Sequence, residues 1–320
     1  RISIGGGGTD LPSYYREFGG FVISAAINKY VYITINKSFL PGYFLKYSET
    51  EHAQSYEEIR HPLFREALTL HEAPQPLEIV SIADVPAGTG LGSSGTFTVG
   101  LLHALYAWQR KRVTAEKLAR EAIAIEMDRL QEPVGKQDQY IAAYGGLLCQ
   151  EYHSDDSVQV YPLRLSDATL RELRDSLMLF FVGQTRCASS LLDTQKKRSE
   201  QRDQAMLESL HFARQLGHEI RSVLEDGHVG EFGRLMHEHW LRKRERSKGM
   251  TSERVDGLYE IARKRGGATG GKLVGAGGSG FLLLHTQDRN RLRSAMMEAG
   301  ASEMEFSFDF DGSVVMMRNI

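Results

Sequence analysis

Only two cysteines, Cys149 and Cys187, occur in 320 residues. That is too few for a disulfide framework, and a reducing, cytoplasmic setting is expected. Charge of one sign is also lacking: 39 Lys and Arg against 41 Asp and Glu leave a net charge of −2, without the basic footprint that sequence-general nucleic-acid binding needs. No apolar run reaches the length of a membrane span; the best, residues 177–182, is strand-sized, so no membrane partner is expected. No signal peptide is legible. The chain opens on Arg1, not Met, and a few further residues are expected ahead of it. Repeats and low-complexity linkers are absent. The His237-Glu238-His239 run lacks zincin spacing, and on a helix its two histidines point apart.

Against these absences stands an ordinary globular composition, 41% hydrophobic and 25% charged, with 32 glycines gathered in clusters. A chain of this length buries a sizeable core and is expected to form two closely packed lobes with a cleft between them, divided at 165/166. Strand character is read at 22–26, 30–36, 44–47, 77–82, 146–151, 158–162, 177–182 and 281–285. Helical spacing is read at 61–71, 93–109, from Thr114 to about Met127, at 167–175 and at 287–299. From 189 to about 264 the pattern is nearly all helix, with breaks expected near Gly217, Gly227 and Gly249, and two last strands are expected at 304–308 and 314–317. The class is α+β.

Three glycine clusters punctuate this pattern: Gly5 to Gly8, Gly88 to Gly95, and Gly266 to Gly280. The second, running from Pro86 to Thr96, precedes an apolar helix. Glycines there let the backbone approach a ligand, and the helix start offers unpaired N–H groups and a positive dipole end to a phosphate. Ser93, Ser94 and Thr96 add hydroxyls, although one serine serves equally well as an N-cap. Both 90–95 and 275–280 fit Gly-x-Gly-x-x-Gly, but neither is followed by the helix, strand and acid of a dinucleotide fold. A Walker loop is excluded too, because no Gly-Lys-Ser/Thr follows.

Taken in order, the three clusters resemble the motifs of the GHMP kinase superfamily, which includes galactokinase, homoserine kinase and mevalonate kinase. Residues 86–96 resemble its ATP-phosphate loop, 272–281 its third motif near the active centre, and 1–15 its first, acceptor-shaping motif. The resemblance spans nearly the whole chain. It implies a ribosomal-protein-S5-like N-terminal lobe, 1–165, and a helix-rich ferredoxin-like C-terminal lobe, 166–320. Within the superfamily, Gly5-Gly-Gly-Gly-Thr-Asp-Leu-Pro-Ser-Tyr-Tyr15 and Gly135-Lys-Gln-Asp-Gln-Tyr-Ile-Ala-Ala-Tyr-Gly-Gly146 look most like the heptose 7-phosphate kinases, which phosphorylate the anomeric C1 hydroxyl. Galactokinases carry Glu-His where this chain has Gly7-Gly8, which argues against galactose. The kinase domain of fucose kinases shares a similar first motif and stays an alternative.

The resemblance assigns roles, with ATP and Mg²⁺ as the implied cofactors. Pro86, Gly88, Gly90, Leu91, Gly92, Ser93, Ser94 and Gly95 would bind ATP, and Ser94 with Glu126 would hold the metal. Without it, Glu126 reads equally as a solvated helix-end acid. Asp138 would take or orient the acceptor proton, and Arg1 would lie near the transferred phosphoryl. Gly7, Gly8, Thr9 and Asp10, with Gly277, Gly278 and Ser279, would face the acceptor. For the acceptor's own phosphate, Arg186, Lys243 and Arg244 are candidates, although 242–248 is a charge run of the kind that usually forms a solvated helix face. A non-catalytic sugar and ATP sensor of the same fold would be expected to lack the metal-binding or catalytic acids, and all are present here. A small sugar or sugar-phosphate partner and a monomer or homodimer are expected.

Overall fold

The computed structural model describes residues 1–183, 189–247, 249–275, 277–278 and 280–317. The first half runs β1 (Ile2–Gly5), α1 (Pro12–Phe18), β2 (Gly20–Ala25), β3 (Val31–Lys37), β4 (Tyr43–Lys46), β5 (Thr50–Ala53), α2 (Pro62–Leu70), β6 (Leu77–Ala83), α3 (Ser93–Trp108) and α4 (Ala115–Ile123). A π-helical turn (Ala124–Arg129), α5 (Gln137–Tyr144), β7 (Leu147–Tyr152) and β8 (Val158–Pro162) complete it. The second half holds α6 (Asp167–Ser176), β9 (Leu177–Phe181), α7 (Ser189–Glu200), α8 (Gln204–Glu225), α9 (Val229–Glu245) and α10 (Glu253–Lys264). It closes with β10 (Gly270–Leu273), β11 (Phe281–His285), α11 (Arg289–Glu298) and β12 (Ser302–Glu303).

Three four-stranded sheets result, ordered β1-β2-β7-β8, β3-β6-β4-β5 and β10-β11-β9-β12. All their pairings are antiparallel except β4 on β6. The alternating face of β3 turns Ile33 and Ile35 onto a core built from Leu45, Ile79, Leu101 and Leu105. Helix α3 is apolar on most of its surface because it lies inside this layer, between the sheet and helices α4 and α5. A second core joins the two halves of the chain: Ile2, Phe21 and Cys149 pack with Leu216, Ile220, Phe232 and Leu283. Burial pushes the Cys149 thiol up to about 12, so it is a packing group. We propose 1–165 and 166–320 as the two lobes around this shared core. Among the described residues, no helix is long and apolar enough to cross a membrane.

Local signals set most boundaries. Thr114, Ser166, Asp203, Ser252 and Asp288 each accept a first-turn N–H as N-caps. Pro12 and Pro62 sit where the missing N–H matters least, in the first turns of α1 and α2.

The expected elements differ in several places. Helix α1 lies between the glycine cluster at 5–8 and the strand expected at 22–26, where no element is expected. Helix α8 does not break at Gly217; it runs through, and the break falls at the Asp203 cap. Gly217 is there for close approach: a Cβ would lie 3.0 Å from Phe21 Cδ1 and 3.2 Å from Gly6 Cα. Strands β5 and β10 were not anticipated. The expected strands at 304–308 and 314–317 do not form; Met304 N still donates to Leu179 O at 2.8 Å, and the chain then runs beside residues 26–28 through the Ile27 to Phe308 bridge and flanking hydrogen bonds, Asn28 N to Ser307 O at 3.0 Å and Asp309 N to Ala26 O at 3.1 Å. Met316 and Met317 are exposed, and an apolar segment without a neighbouring edge has nothing to pair with.

The Gly217 contact gives a test. Gly217→Val should lower stability by about 1–3 kcal/mol through overpacking, seen as a lower urea midpoint at unchanged m value.

Candidate active site

The N-terminus of α3 is built by glycine. Gly88, Gly90 and Gly92 all have positive φ, and Gly92, left-handed at the N-cap position, offers no side-chain cap. The first-turn N–H groups therefore have no side-chain acceptor from the capping residue, and Ser93 and Ser94 lie inside the helix instead of capping it. Gly92 also marks a crowded point: a Cβ there would fall 2.9 Å from Arg1 Cγ and 3.0 Å from Asp138 Oδ2. The third glycine cluster presses on the same loop, since a Cβ at Gly275 would lie 2.5 Å from Gly90 Cα. Leu91 is buried in the shared core and anchors the loop from beneath.

Two carboxylates meet this loop. Asp138 lies in the first turn of α5, and Arg1 Nε donates to its Oδ1 at 2.5 Å. Arg1 also donates from Nη1 to the Gly90 carbonyl at 3.3 Å and from its backbone nitrogen to Leu91 O at 2.8 Å. One side chain thus ties the phosphate loop to the aspartate. Glu126 sits on the π-helical turn that continues α4, only 1% exposed. It accepts from Ser94 Oγ in a short hydrogen bond, and from Gln139 Nε2 at 2.9 Å. Such single π turns often mark functional positions. Burial raises the Glu126 carboxyl above its usual range, Asp138 adds repulsion, and the two donors oppose the shift.

Asp10 forms the third acid. Its Oδ2 accepts from Gln137 N at 3.2 Å and from Gln137 Nε2 at 3.1 Å, so the first motif is fastened to the residue beside Asp138. Burial raises its pKa, and Asp138 raises it further. Lys136 steadies this turn, with Nζ donating to Asp156 O at 3.0 Å over the Tyr15 ring. Thr9 is fully buried and its hydroxyl faces the backbone: Oγ1 lies 2.8 Å from Gly6 O and 2.9 Å from Phe21 O, and accepts from Phe21 N.

Asp138, Arg1, Glu126, Ser94, Asp10 and the 88–95 loop are therefore brought together. Gly7 and Gly8 lie against Arg246 and Gln195. Gly277 and Gly278 sit against Met250, whose carbonyl accepts from Gly278 N at 2.9 Å. Arg186 and Ser279 lie outside the described residues. Lys243 is buried, its Nζ donating to Leu273 O at 3.0 Å and Gly275 O at 2.6 Å. Burial, then Arg246 and Arg1, push it down to about 7. Arg244 is half-buried, 4.0 Å from Asp256. Over its described residues, 242–247, the run is thus not a uniformly solvated face. Sequence reading missed Arg246, although 239, 243 and 246 follow helical spacing on one face. A pocket beside the loop is lined by Arg1, Lys29, Tyr30, Val85, Ser93 and Thr96, among others.

This arrangement suits phosphoryl transfer, in which positioning and charge stabilisation dominate. The chain matches the GHMP kinases N terminal domain over residues 59–146 and the GHMP kinases C terminal domain over 220–302, together just over half of its length. It is 27% identical to the D-glycero-alpha-D-manno-heptose 7-phosphate kinase of Campylobacter jejuni subsp. jejuni serotype O:2, over 98% of this chain and 95% of the relative. It is 28% identical to the bifunctional fucokinase/GDP-fucose pyrophosphorylase of Arabidopsis thaliana, over 92% of this chain and 30% of that protein. A crystal structure described as a D-glycero-D-manno-heptose 1-phosphate kinase from Bacteroides thetaiotaomicron superposes with a TM-score of 0.79. It shares 26% identity, covering 97% of this chain and 94% of that one. This chain belongs to the GHMP kinases and is an ATP-dependent phosphotransferase.

Proposed function

We propose that the protein is a sugar kinase that transfers the γ-phosphoryl group of ATP to the anomeric C1 hydroxyl of a heptose 7-phosphate, giving the 1,7-bisphosphate. The observation that carries this reading is the Arg1–Asp138 pair at 2.5 Å, set against the glycine loop that opens α3. Asp138 accepts the hydroxyl proton as the C1 oxygen bonds to phosphorus and the bond from phosphorus to the β-phosphate oxygen breaks, releasing ADP. Arg1 fixes the carboxylate's direction and supplies positive charge beside the phosphoryl group. The 88–94 backbone holds the phosphates.

Ser94 and Glu126 fit Mg²⁺: a buried carboxylate whose ionised form is disfavoured gains from a cation, and one carboxylate plus substrate phosphates is an ordinary magnesium arrangement. When bound, the ion neutralises charge on the β- and γ-phosphates. Heptose 7-phosphate as acceptor draws support from the Campylobacter likeness across nearly the full chain. The Bacteroides structure is described by a different position, the 1-phosphate, so the attacked hydroxyl is part of the proposal. The fucokinase likeness supports a second reading, a 1-kinase of free fucose or a similar sugar.

ATP-consumption assays with Mg²⁺ on heptose 7-phosphate, fucose, galactose and mannose test the reading, with phosphorus NMR locating the product. A new C1 phosphate on heptose 7-phosphate is expected; turnover of fucose instead would move the substrate to the second reading. Asp138→Asn should lower kcat by about 10²- to 10⁴-fold while nucleotide affinity, followed by fluorescence titration, holds. Wild-type turnover in that variant would refute the role of Asp138. Glu126 gives a pH test. Its raised folded pKa favours the neutral acid, so its contribution to stability is present below the unfolded carboxyl pKa and is lost as pH rises through the folded value. At pH 7 the ionised group therefore weakens the ligand-free fold. Glu126→Gln, whose amide can donate to the unpartnered Gln139 Oε1, should raise the ligand-free melting midpoint at pH 7 by about 2 °C. The gain should shrink toward pH 4, and Mg²⁺-dependent turnover should collapse.

A further inference from the structure

Four cationic side chains are buried, or nearly so, behind the first and third glycine clusters: Arg1, Lys243, Arg246 and Lys272. Among the described residues, the Arg1–Asp138 pair is the only contact within 4 Å between any of these four and a carboxylate. Unpaired buried charge is strongly unfavourable unless other groups compensate it. Lys272 is compensated by Ile4 O at 2.9 Å, and Lys243 by the carbonyls of Leu273 and Gly275.

Arg246 is not fully compensated. It is 5% exposed, its Nε donates to Ser209 Oγ at 3.1 Å, and its Nη1 makes a long 3.4 Å contact to Gly7 O. Among the described residues Nη2 has no partner, and neither do the buried hydroxyls of Ser247 beside it and Ser199. Ser199 follows Arg198, whose Nη1 donates to the Arg246 carbonyl at 2.6 Å. One turn back on α7, Gln195 donates to Gly8 O at 2.9 Å and closes the site. The guanidinium leans directly on the first motif, for a Cβ at Gly8 would fall 2.6 Å from Nη1.

We propose that Arg246 recognises an anionic substituent of the acceptor, a phosphomonoester remote from the attacked hydroxyl, with Ser199 and Ser247 as additional donors. This rests on the sugar-kinase reading above. Arginine is the group suited to planar, multidentate phosphate binding, and an unpartnered buried N–H leaves donor capacity for one. Placement agrees. Arg246 meets the loop at Gly7 and Gly8, whereas Asp10, fastened beside Asp138, lies two residues beyond Gly8, at most about 7 Å along the chain. A sugar carrying a phosphate at its far end spans that interval. Nη2 is closed off from solvent in the ligand-free fold, so the substrate would have to open this corner as it binds.

The test compares wild type with Arg246→Met and Arg246→Lys. On heptose 7-phosphate and free heptose, Arg246→Met should lower the ratio of the two kcat/KM values by about 10- to 100-fold, mainly through KM, and Lys should restore part of it. With a non-hydrolysable ATP analogue saturating the nucleotide loop, inorganic phosphate should raise the melting midpoint of wild type and not that of Arg246→Met. Without ligand, the Met variant should melt at or above wild type, whereas a merely structural arginine would lose stability. An unchanged specificity ratio, or equal phosphate stabilisation of both proteins, would overturn the proposal. If Arg246→Met does not fold, Ser247→Ala decides by the same ratio, with about a 3- to 10-fold fall expected. Should wild type turn over no sugar, the function above fails while the phosphate arm still decides this site.

Discussion

A single arginine residue joins three parts of the molecule that lie far apart in sequence. Arg1 holds Asp138 through one ion pair and the 88–95 loop through two backbone carbonyls. It emerges from β1, whose Ile2 and Ile4 are sealed into the shared core. The direction of the Asp138 carboxylate is thus set by how β1 is packed, and β1 is packed by α8 on one side and β2 on the other. Replacing that pairing with solvent would leave the acid beside the glycine loop but without a fixed orientation, and orientation is most of what this chemistry asks of the protein.

The glycines make this convergence possible because they let backbones meet without side chains between them. Gly90 against Gly275, and Gly92 and Gly95 against Asp138, are contacts that any Cβ would push apart. Three acids, Asp10, Glu126 and Asp138, and several cations are then held in a small volume with incomplete neutralisation. Such an arrangement is unfavourable for folding and favourable for a ligand that carries both phosphate and metal.

Much of this was legible in the sequence because its signals are local. The loop before an apolar helix and the Thr114 cap both follow from a few adjacent residues. What stayed hidden depends on distant partners. The π turn at Glu126 is not written in 115–129; it forms where Ser94 and Gln139 fix the carboxylate. Gly217 reads as a helix breaker until Phe21 and Gly6 are seen to occupy the space beside it. Arg246 reads as one more charge in a basic run, and only burial under α7 and the first motif separates it from Arg244. Thr9 looked like a sugar ligand by position, yet its hydroxyl faces backbone from both neighbouring segments.

The shared core also bears on how the chain is made. Ile2 and Ile4 share a cluster with Val274 and Leu283, and Lys272 donates to the carbonyl of Ile4. During synthesis, β1 and β2 must wait at least for α8 (Gln204–Glu225) before their apolar face is covered. Contacts of such sequence separation fold slowly, and uncovered strands are prone to associate with other chains in the interval. The same layout that brings the first motif to the third therefore makes synthesis of this kinase a stage at which chaperone protection counts.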